Sequence, residues 1–380
     1  MTSDSSPSLG RILSIAVVLV LCILALAAVA CGGGETATTQ APATTAGPAT
    51  TTAPTTTAAP ADDKVYEFKL SLHNPADSPE DQFLKAWAKQ VEEVTDGRVK
   101  IAVFPGATLG APTDGLTMVQ TGICDILWSY TGFFKEFKAT SVLGLPLLLP
   151  GTAVENTGVF WDLVESRPEI LAEFEGLKLK VLEFHAGPAA ILGSNKSVTS
   201  VDGFKNLKMR VGGGPLTDAV VNWGGSPVAM PPTDLYEALQ KNVIEGYIFD
   251  PAGVLPYKVY EPVDHFLDLP FNANPLFTVM NLDKWNQLPA DLQELVTSVS
   301  GRLASDEFAE MQDASTAELW AAVEEAGKTI TVPTQEVMAG FQPGADEAIS
   351  KWVEEKSADG IDADGLVRAV GELVEKNVKE

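Results

Sequence analysis

The chain has 380 residues, and its 51 Asp and Glu against 26 Lys and Arg give a formal net charge of −25 at pH 7. This excess of negative charge argues against a nucleic-acid ligand and against electrostatic docking on anionic lipid. Of its three cysteines only Cys124 lies beyond the first 31 residues, so no disulfide is expected within the folded part.

Residues 1–31 are predicted to be a lipoprotein signal peptide. Arg11 precedes the segment from Ile12 to Ala30, which contains no charge and ends beside Cys31. The small residues Ala28-Val29-Ala30 before that cysteine resemble the lipobox of bacterial lipoproteins, which implies that Cys31 is lipidated and anchors the protein. The alternative is an uncleaved membrane anchor, because about twenty apolar residues can span a bilayer. Either outcome predicts an extracytoplasmic protein, in the periplasm or on the outer face of the cytoplasmic membrane.

Residues 32–63 are predicted to be a disordered tether. From Glu35 to Ala61 the composition is dominated by Thr, Ala and Pro, without an aromatic residue. Such a segment cannot bury a core. Roughly 315 residues remain after it, which is enough for two domains.

The folded part opens with a predicted β-α-β unit. Apolar residues alternate from Val65 to Leu72, which indicates a strand. Ser78 is a candidate N-cap before Pro79, and the helical pattern that follows ends at Thr95-Asp96-Gly97. A second strand is predicted from Val99 to Phe104. The unit predicts an α/β fold with a parallel or mixed sheet.

Strand and helix patterns continue to alternate as far as Phe249. Helices are predicted at 113–121, 216–223 and 233–239, and strands at 123–128, 177–184, 189–192, 227–230 and 243–249. Pro289 to Gly327 then forms one long helical pattern. At about 1.5 Å per residue it would exceed 50 Å, so we expect it to span both domains, with a kink near Gly301. A short strand at 329–332 and terminal helices complete the chain.

The run from Phe204 to Pro215 brings an arginine, Arg210, from a short strand onto the glycine-rich turn Gly212-Gly213-Gly214 that opens a helix. Unpaired N–H groups at a helix start and a guanidinium both bind carboxylates, so the run predicts an anion site. The alternative is a plain strand-turn-helix with a surface arginine. Five lysines make the neighbouring sequence basic and are expected to steer an anion there: Lys178, Lys180, Lys196, Lys205 and Lys208.

Enzyme signatures are weak. Gly327-Lys328-Thr329 looks like the end of a phosphate-binding loop, but Ala322 stands where the earlier glycine is required, so Gly327 is better explained as a helix C-cap. The three histidines lie far apart in sequence, and no nucleophile motif occurs. We therefore predict no catalytic activity, no cofactor and no metal.

Short segments spread along the folded part resemble those of a known receptor family. They are Thr95-Asp96-Gly97-Arg98-Val99, Phe104-Pro105-Gly106, Leu109-Gly110, Gln120-Thr121-Gly122-Ile123-Cys124-Asp125, Leu145-Pro146, Phe204 to Val211, Gly224-Gly225-Ser226-Pro227-Val228, Leu235 to Gln240 and Trp285-Asn286-Gln287-Leu288-Pro289. In this order, from about Val65 to Glu355, they resemble the solute receptors of tripartite ATP-independent periplasmic (TRAP) transporters, the DctP-type extracytoplasmic binding proteins.

The resemblance implies a two-lobed periplasmic-binding-protein-like α/β fold with mixed sheets, hinge strands and a long helix that spans both lobes. It also implies that the lobes close on a small organic acid, that Arg210 holds the ligand carboxylate, and that a TRAP membrane permease receives the ligand. We expect lobe I to comprise residues 64–187 and about 276–315, and lobe II residues 188–275 and about 316–380. The alternative function is a ligand-sensing ectodomain that reports to a membrane sensor kinase or chemoreceptor.

Two departures from the family pattern favour a monocarboxylate. Many members carry a second arginine on the strand before the Arg210 loop, where this chain has Gly187-Pro188-Ala189-Ala190-Ile191. An asparagine that members often supply to the site is replaced in Glu245 to Pro251, so Asp250 stands in its place. Asp250 could bind an amine or hydroxyl of the ligand, or it could cap the following turn, as Asp before Pro often does.

The other candidate ligand-binding residues are Trp128, Tyr130, Phe249, His73, Asn74 and Gly212. The three aromatic residues could stack on a ligand, although such residues are more often part of a core. His73 and Asn74 end the first strand at what should be the carboxyl edge of its sheet, where α/β proteins bind ligands.

Overall fold

The structure is a computed structural model, and it describes residues 64–378. The predicted signal peptide with its lipidation site Cys31 and the predicted tether lie outside these residues. Within the described range no helix is long and apolar enough to cross a bilayer.

The strands of the described chain are, in order, β1 (Tyr66–Ser71), β2 (Val99–Phe104), β3 (Ile126–Tyr130), β4 (Leu179–Ala186), β5 (Ile191–Ser194), β6 (Lys208–Val211), β7 (Ser226–Ala229), β8 (Gly246–Phe249), β9 (His265–Leu267), β10 (Pro275–Asn281) and β11 (Thr329–Thr331). The α-helices are α1 (Pro79–Val94), α2 (Gly115–Thr121), α3 (Ala153–Ser166), α4 (Glu169–Gly176), α5 (Leu216–Asn222), α6 (Leu235–Gln240), α7 (Pro251–Val254), α8 (Leu282–Trp285), α9 (Ala290–Ser298), α10 (Gly301–Glu325), α11 (Gln335–Ala358) and α12 (Ala363–Asn377).

The strands form two mixed sheets, and this confirms the predicted α/β class. The first sheet has the order β2-β1-β3-β10-β4, and the second has the order β11-β9-β5-β8-β6-β7. In the first, β1 runs parallel to β2 and β3, whereas β10 runs antiparallel to β3 and β4. In the second, β6 runs parallel to β7 and β8, whereas β5 runs antiparallel to β8 and β9. The carboxyl ends of β1 and β3 therefore meet at one edge of the first sheet.

The predicted β-α-β unit is confirmed at its boundaries. The Ser78 hydroxyl caps α1 by accepting the backbone N–H of Asp81 at 3.2 Å, and Thr95 is the C-cap. Parallel pairing begins with Tyr66 opposite Val99. Trp87, on the buried face of α1, donates its indole N–H to the carbonyl of Val299 at 3.0 Å. The unit thus holds the loop after β1 at a fixed place beside the sheet edge.

Besides the chain that runs through α10, two short segments cross between the sheets, as the predicted hinge strands require. One joins β4 to β5 and the other joins β9 to β10. They are hydrogen-bonded to each other, because Gly187 N–H donates to the carbonyl of Asn274 at 2.9 Å and Ala190 N–H donates to that of Asn272 at 2.8 Å.

The long helical pattern after Pro289 is two helices, where one kinked helix was expected. Helix α9 ends at Ser298, and α10 begins at Gly301, which has a φ of +65°. This left-handed conformation favours glycine and interrupts the helix. The 25 residues of α10 extend about 38 Å, enough to pack on β4, α3 and α1 at one end and on α7 and β11 at the other.

The C-terminal helix differs from the expected lobe division. Leu366 and Val370 of α12 join the core formed around Phe160 of α3 and Phe184 of β4. That core lies on the side of the first sheet, although residues 316–380 were expected in lobe II. Helix α11 packs on α5, beside the second sheet. The boundaries of the two lobes stay a prediction.

Candidate functional site

One cavity between the two sheets is lined by all eight residues that the sequence singled out for ligand binding: His73, Asn74, Trp128, Tyr130, Arg210, Gly212, Phe249 and Asp250. Its empty space, open mouth included, is about 550 Å³. The first sheet contributes the loop after β1 and strand β3, and the second contributes β6 and β8. These residues are scattered over the sequence, and the folding of both sheets brings them together.

Arg210 is buried in the wall of this cavity and is only 3% exposed. Its Nε donates to the carbonyl of Met230 at 3.1 Å, and its Nη1 donates to the carbonyl of Ile248 at 3.4 Å. Its Cζ lies 4.6 Å from the centroid of the Phe249 ring, a cation–π contact. Since a guanidinium has five N–H donors, three of them remain beyond these two bonds.

No carboxylate among the described residues lies within the 4.0 Å salt-bridge distance of Arg210. Burial lowers the pKa of Arg210 to about 10, and the nearby Asp250 carboxyl opposes that shift. The guanidinium stays protonated at neutral pH, but its charge is held in the interior without a direct partner. A buried cation in this state strongly favours an anionic ligand.

Asp250 adopts the capping role that the sequence left open, and it also lies on the cavity wall. Its Oδ1 accepts the backbone N–H of Gly253 at 2.8 Å, so it is the N-cap of α7. Its Oδ2 accepts the side-chain amide of Asn274 at 3.1 Å. Burial raises the pKa of Asp250, while these bonds and Arg210 oppose the rise. Both carboxylate oxygens therefore already have protein partners.

Aromatic rings form the first-sheet wall of the cavity. His73 and Trp128 have ring centroids 5.0 Å apart, and Phe133 meets Tyr130 edge-on at 5.3 Å. Burial, followed by the positive charge of Arg210, lowers the pKa of His73 to about 3, so this imidazole is neutral. Burial raises the pKa of Tyr130 to about 12, which keeps its hydroxyl protonated. The wall is therefore aromatic and uncharged at neutral pH.

A known protein family matches most of the folded part of the chain. A family model described as bacterial extracellular solute-binding protein, family 7 (DctP), matches residues 70–356. The chain belongs to this family. The resemblance to TRAP solute receptors drawn from the sequence is confirmed, and the match extends over both sheets.

Relatives of this DctP-family chain include the 2,3-diketo-L-gulonate-binding periplasmic protein YiaO of Escherichia coli (strain K12). YiaO is 27% identical over 212 residues, which cover 55% of this chain and 63% of YiaO. A TRAP solute binding protein of Rhodoferax ferrireducens T118, in complex with copurified benzoate, superposes with a TM-score of 0.78 at 23% identity over 82% of this chain and 98% of that one.

A second solved structure is a marine metagenome TRAP solute binding protein specific for aromatic acid ligands, in complex with 3-hydroxybenzoate. It also superposes with a TM-score of 0.78, at 20% identity over 83% of this chain and 100% of the other. These likenesses establish the two-lobed fold of the DctP-family chain.

Sequence reasoning missed four polar residues that line the same cavity: Glu80, Asn272, Asn274 and Gln312. Glu80 lies in the first turn of α1, where the cap at Ser78 and Asp81 explained the local pattern. Asn272 and Asn274 lie in the segment that crosses to the first sheet, and Gln312 lies on the buried face of α10. Asn272 and Asn274, two asparagines in the otherwise apolar run from Leu269 to Leu276, were the available signal.

The expectation that five lysines near Arg210 in sequence steer an anion to the site is wrong. Lys196 pairs with Glu245, and Lys205 pairs with Asp202, both at the surface. Lys180 lies over the ring of Trp285, remote from the cavity. None of the five lysines lines the site.

Within the described residues no group of three or more His, Cys, Asp and Glu could hold a metal ion.

Proposed function

We propose that this DctP-family protein captures a small monocarboxylate between its two lobes and delivers it to a TRAP membrane permease. The observation that carries the proposal is Arg210: a buried guanidinium on the wall of the cavity, with N–H donors left over and no carboxylate within salt-bridge distance in the described protein. A ligand carboxylate would accept two parallel hydrogen bonds from such a group.

The number of cations supports one carboxylate per ligand. Arg210 is the only Lys or Arg on the cavity wall within the described residues. Ala189 and Ala190 stand where a second arginine was considered. A second ionised carboxylate in the same cavity would lack a cation and would meet Asp250 and Glu80, at a cost that burial increases.

Three similar proteins have ligands of this class, whereas a relative from Rhodobacter capsulatus is named as a C4-dicarboxylate-binding protein. YiaO is named for binding 2,3-diketo-L-gulonate, and the two solved structures hold benzoate and 3-hydroxybenzoate. Each of these is a monocarboxylate, although the identities are too low to transfer any one ligand.

Ligand capture by lobe closure is supported by contacts between the two sides. Gly213, in the turn before α5, has a φ of +100°, and a Cβ there would lie 2.9 Å from the carbonyl oxygen of Gly132 in the loop after β3. The backbones thus approach closely beside the mouth of the cavity. Bound ligand that contacts both sides stabilises the closed form, and this couples binding to a shape that a permease can recognise.

The remaining expectations belong to the same proposal. We propose that Cys31 carries a lipid anchor, that residues 32–63 form a tether, and that the protein works outside the cytoplasm without catalysis. Lobe I would comprise 64–187 and about 276–315, with the C-terminal helix packed against it. No observation on the described residues favours the alternative of a sensing ectodomain.

A thermal-shift panel tests the proposal. The full chain in mild detergent is mixed with monocarboxylates, dicarboxylates, sugar acids, amino acids and neutral sugars, including benzoate and 3-hydroxybenzoate. A ligand that binds only the folded state raises Tm by mass action. We expect shifts with carboxylates that Arg210→Ala abolishes, while Lys208→Ala keeps them because Lys208 is exposed two residues earlier on β6. Shifts that survive in Arg210→Ala would refute the proposed site.

A further inference from the structure

Glu80 is a second buried carboxyl group on the cavity wall, besides Asp250. It lies in the first turn of α1 and is 1% exposed. Its Oε2 has no hydrogen-bond partner in the described protein, and no cation lies within salt-bridge distance of either oxygen. A buried carboxylate oxygen left in this state costs free energy unless something binds it.

The neighbours of Glu80 do not neutralise it. The groups that act on it are the amide of Asn74, the hydroxyl of Ser78 and the carboxyl of Asp250, and the phenol of Tyr257 lies within electrostatic range. Asp250 is a like charge. Burial is the largest cause that raises the pKa of Glu80 to about 7, and Asp250 adds to it. The site therefore holds a carboxyl group that lacks a cation.

The unpaired atoms of the cavity wall are mostly acceptors. Glu80 Oε2, Asn272 Oδ1 and Gln312 Oε1 are buried acceptors without a partner among the described residues, and Trp128 Nε1 is a buried donor in the same state. A plain carboxylate brings only acceptors and would leave these three oxygens unsatisfied. The complementary ligand must therefore donate several hydrogen bonds.

The charges on the cavity wall indicate which hydrogen-bond donor the ligand carries. Arg210 shares the cavity wall with two carboxyl groups, those of Asp250 and Glu80, so a plain monocarboxylate would bring a third carboxyl group to a single cation. A protonated amine on the same ligand removes that imbalance and supplies up to three N–H donors, whereas a hydroxyl supplies one. Asp250 is less suited to this role, since both its oxygens already accept protein hydrogen bonds.

We propose that the receptor binds zwitterionic amino-carboxylates, with Arg210 holding the carboxylate and Glu80, assisted by Gln312, holding the protonated amine. This inference rests on the proposed function and narrows its ligand class. Glu80 is then the residue that distinguishes an amino acid from its deaminated analogue.

Matched ligand pairs test it on the full chain by calorimetry: L-proline against cyclopentanecarboxylate, 4-aminobutyrate against butyrate, and 3-(aminomethyl)benzoate against benzoate. In at least one pair we expect the amine to raise affinity at least about tenfold. Glu80→Gln should remove that preference while the deaminated partner binds as well or better. Glu93→Gln, on the exposed face of the same helix, should keep it.

The outcomes separate the inference from the function on which it rests. If deaminated carboxylates bind through Arg210 with no preference for an amine, or if the preference survives in Glu80→Gln, the inference is overturned and the carboxylate receptor stands. If no carboxylate of either kind binds the wild-type chain, both are overturned. Circular dichroism confirms folding of Glu80→Gln, and this variant removes a buried charge without changing side-chain volume.

Discussion

The hydroxyl of Tyr257 connects the two sides of the cavity by donating to the backbone carbonyl of His73 at 2.9 Å. Tyr257 follows α7 beside the second sheet, and His73 follows β1 of the first. The same hydroxyl lies 3.1 Å from Oδ1 of Asn74. Since both acceptors belong to residues that line the cavity, this contact holds the two halves together beside the ligand site.

Tyr257→Phe should weaken ligand binding by a few-fold to about tenfold, the range expected for one lost hydrogen bond. The phenyl ring keeps the packing of Tyr257. Because the lost hydrogen bond joins the two sides of the cavity, its removal destabilises the closed form. Calorimetry with the best carboxylate measures the affinity, and small-angle scattering measures closure. Tyr236→Phe removes a comparable bond to Glu261 at the surface and serves as the control. Equal affinities of wild type and Tyr257→Phe would show that this bond does not contribute to closure.

Gly213→Ala should impair closure more than Gly214→Ala. Both glycines have positive φ, +100° and +71°, so alanine strains the backbone at either position. Only at Gly213 would the added Cβ meet the carbonyl oxygen of Gly132, at 2.9 Å, whereas nothing lies within 4 Å of the Cβ at Gly214. We expect Gly213→Ala to lose more affinity for the ligand than Gly214→Ala does. Matching affinities in the two variants would contradict the close approach of the lobes.

The contribution of His73 to the stability of the ligand-free protein is lost in acid, in the opposite direction to the contribution of Glu80. Its pKa is about 3 in the folded state against 6.5 for an unperturbed imidazole, because burial and then Arg210 oppose protonation. The stabilising effect is complete above pH 6.5 and is lost as the pH falls from 6.5 towards 3, where the unfolded chain binds the proton first. Between pH 7 and pH 4.5 the loss is on the order of 3 kcal/mol.

Urea unfolding of wild type and His73→Gln at those two pH values measures this loss. The variant lacks the imidazole, so its unfolding free energy should fall less on acidification than that of the wild type. A parallel decline in both proteins would exclude His73 as a source of the loss.

The pKa of Glu80 shifts in the opposite direction from that of His73, so its effect on stability has the opposite dependence on pH. Its pKa rises from 4.5 to about 7 on folding, so the folded state binds the proton more tightly. Stability is unaffected below pH 4.5 and decreases as the pH rises through 7. Glu80→Gln removes this penalty and should stabilise the ligand-free protein at pH 8 by on the order of 3 kcal/mol, with little change near pH 4. Thermal unfolding across this range, with Glu93→Gln as the control, checks it; destabilisation of Glu80→Gln at pH 8 would be inconsistent with an unpaired carboxylate.

Local patterns predicted much of this fold. Alternation located β1 and β2, and the cap at Ser78 located the start of α1, because these signals depend on neighbours in sequence. The break at Gly301 was expected only as a kink, since a glycine in a helical pattern does not reveal its φ. The packing of α12 on α3 could not be predicted, because its apolar stripe fits either lobe.

The sequence predicted those residues of the candidate site that lie in or next to a recognisable motif. Arg210 followed from its glycine-rich turn and from the family resemblance, and the residues after β1 followed from the topology of parallel sheets. Glu80 and Gln312 were missed because their role depends on what faces them across the cavity. The prediction that nearby lysines steer an anion to Arg210 was wrong, because their closeness in sequence gave no information about their acidic partners at the surface.

The affinity of Arg210→Ala for the carboxylate that most stabilises the wild type decides whether Arg210 holds the ligand. Calorimetry on wild type, Arg210→Ala and Lys208→Ala compares a buried guanidinium with an exposed lysine of the same strand. We expect Arg210→Ala to lose about 2–5 kcal/mol of binding free energy, at least about 30-fold in Kd, and Lys208→Ala to match the wild type. A carboxylate that binds Arg210→Ala as tightly as the wild type would contradict the account.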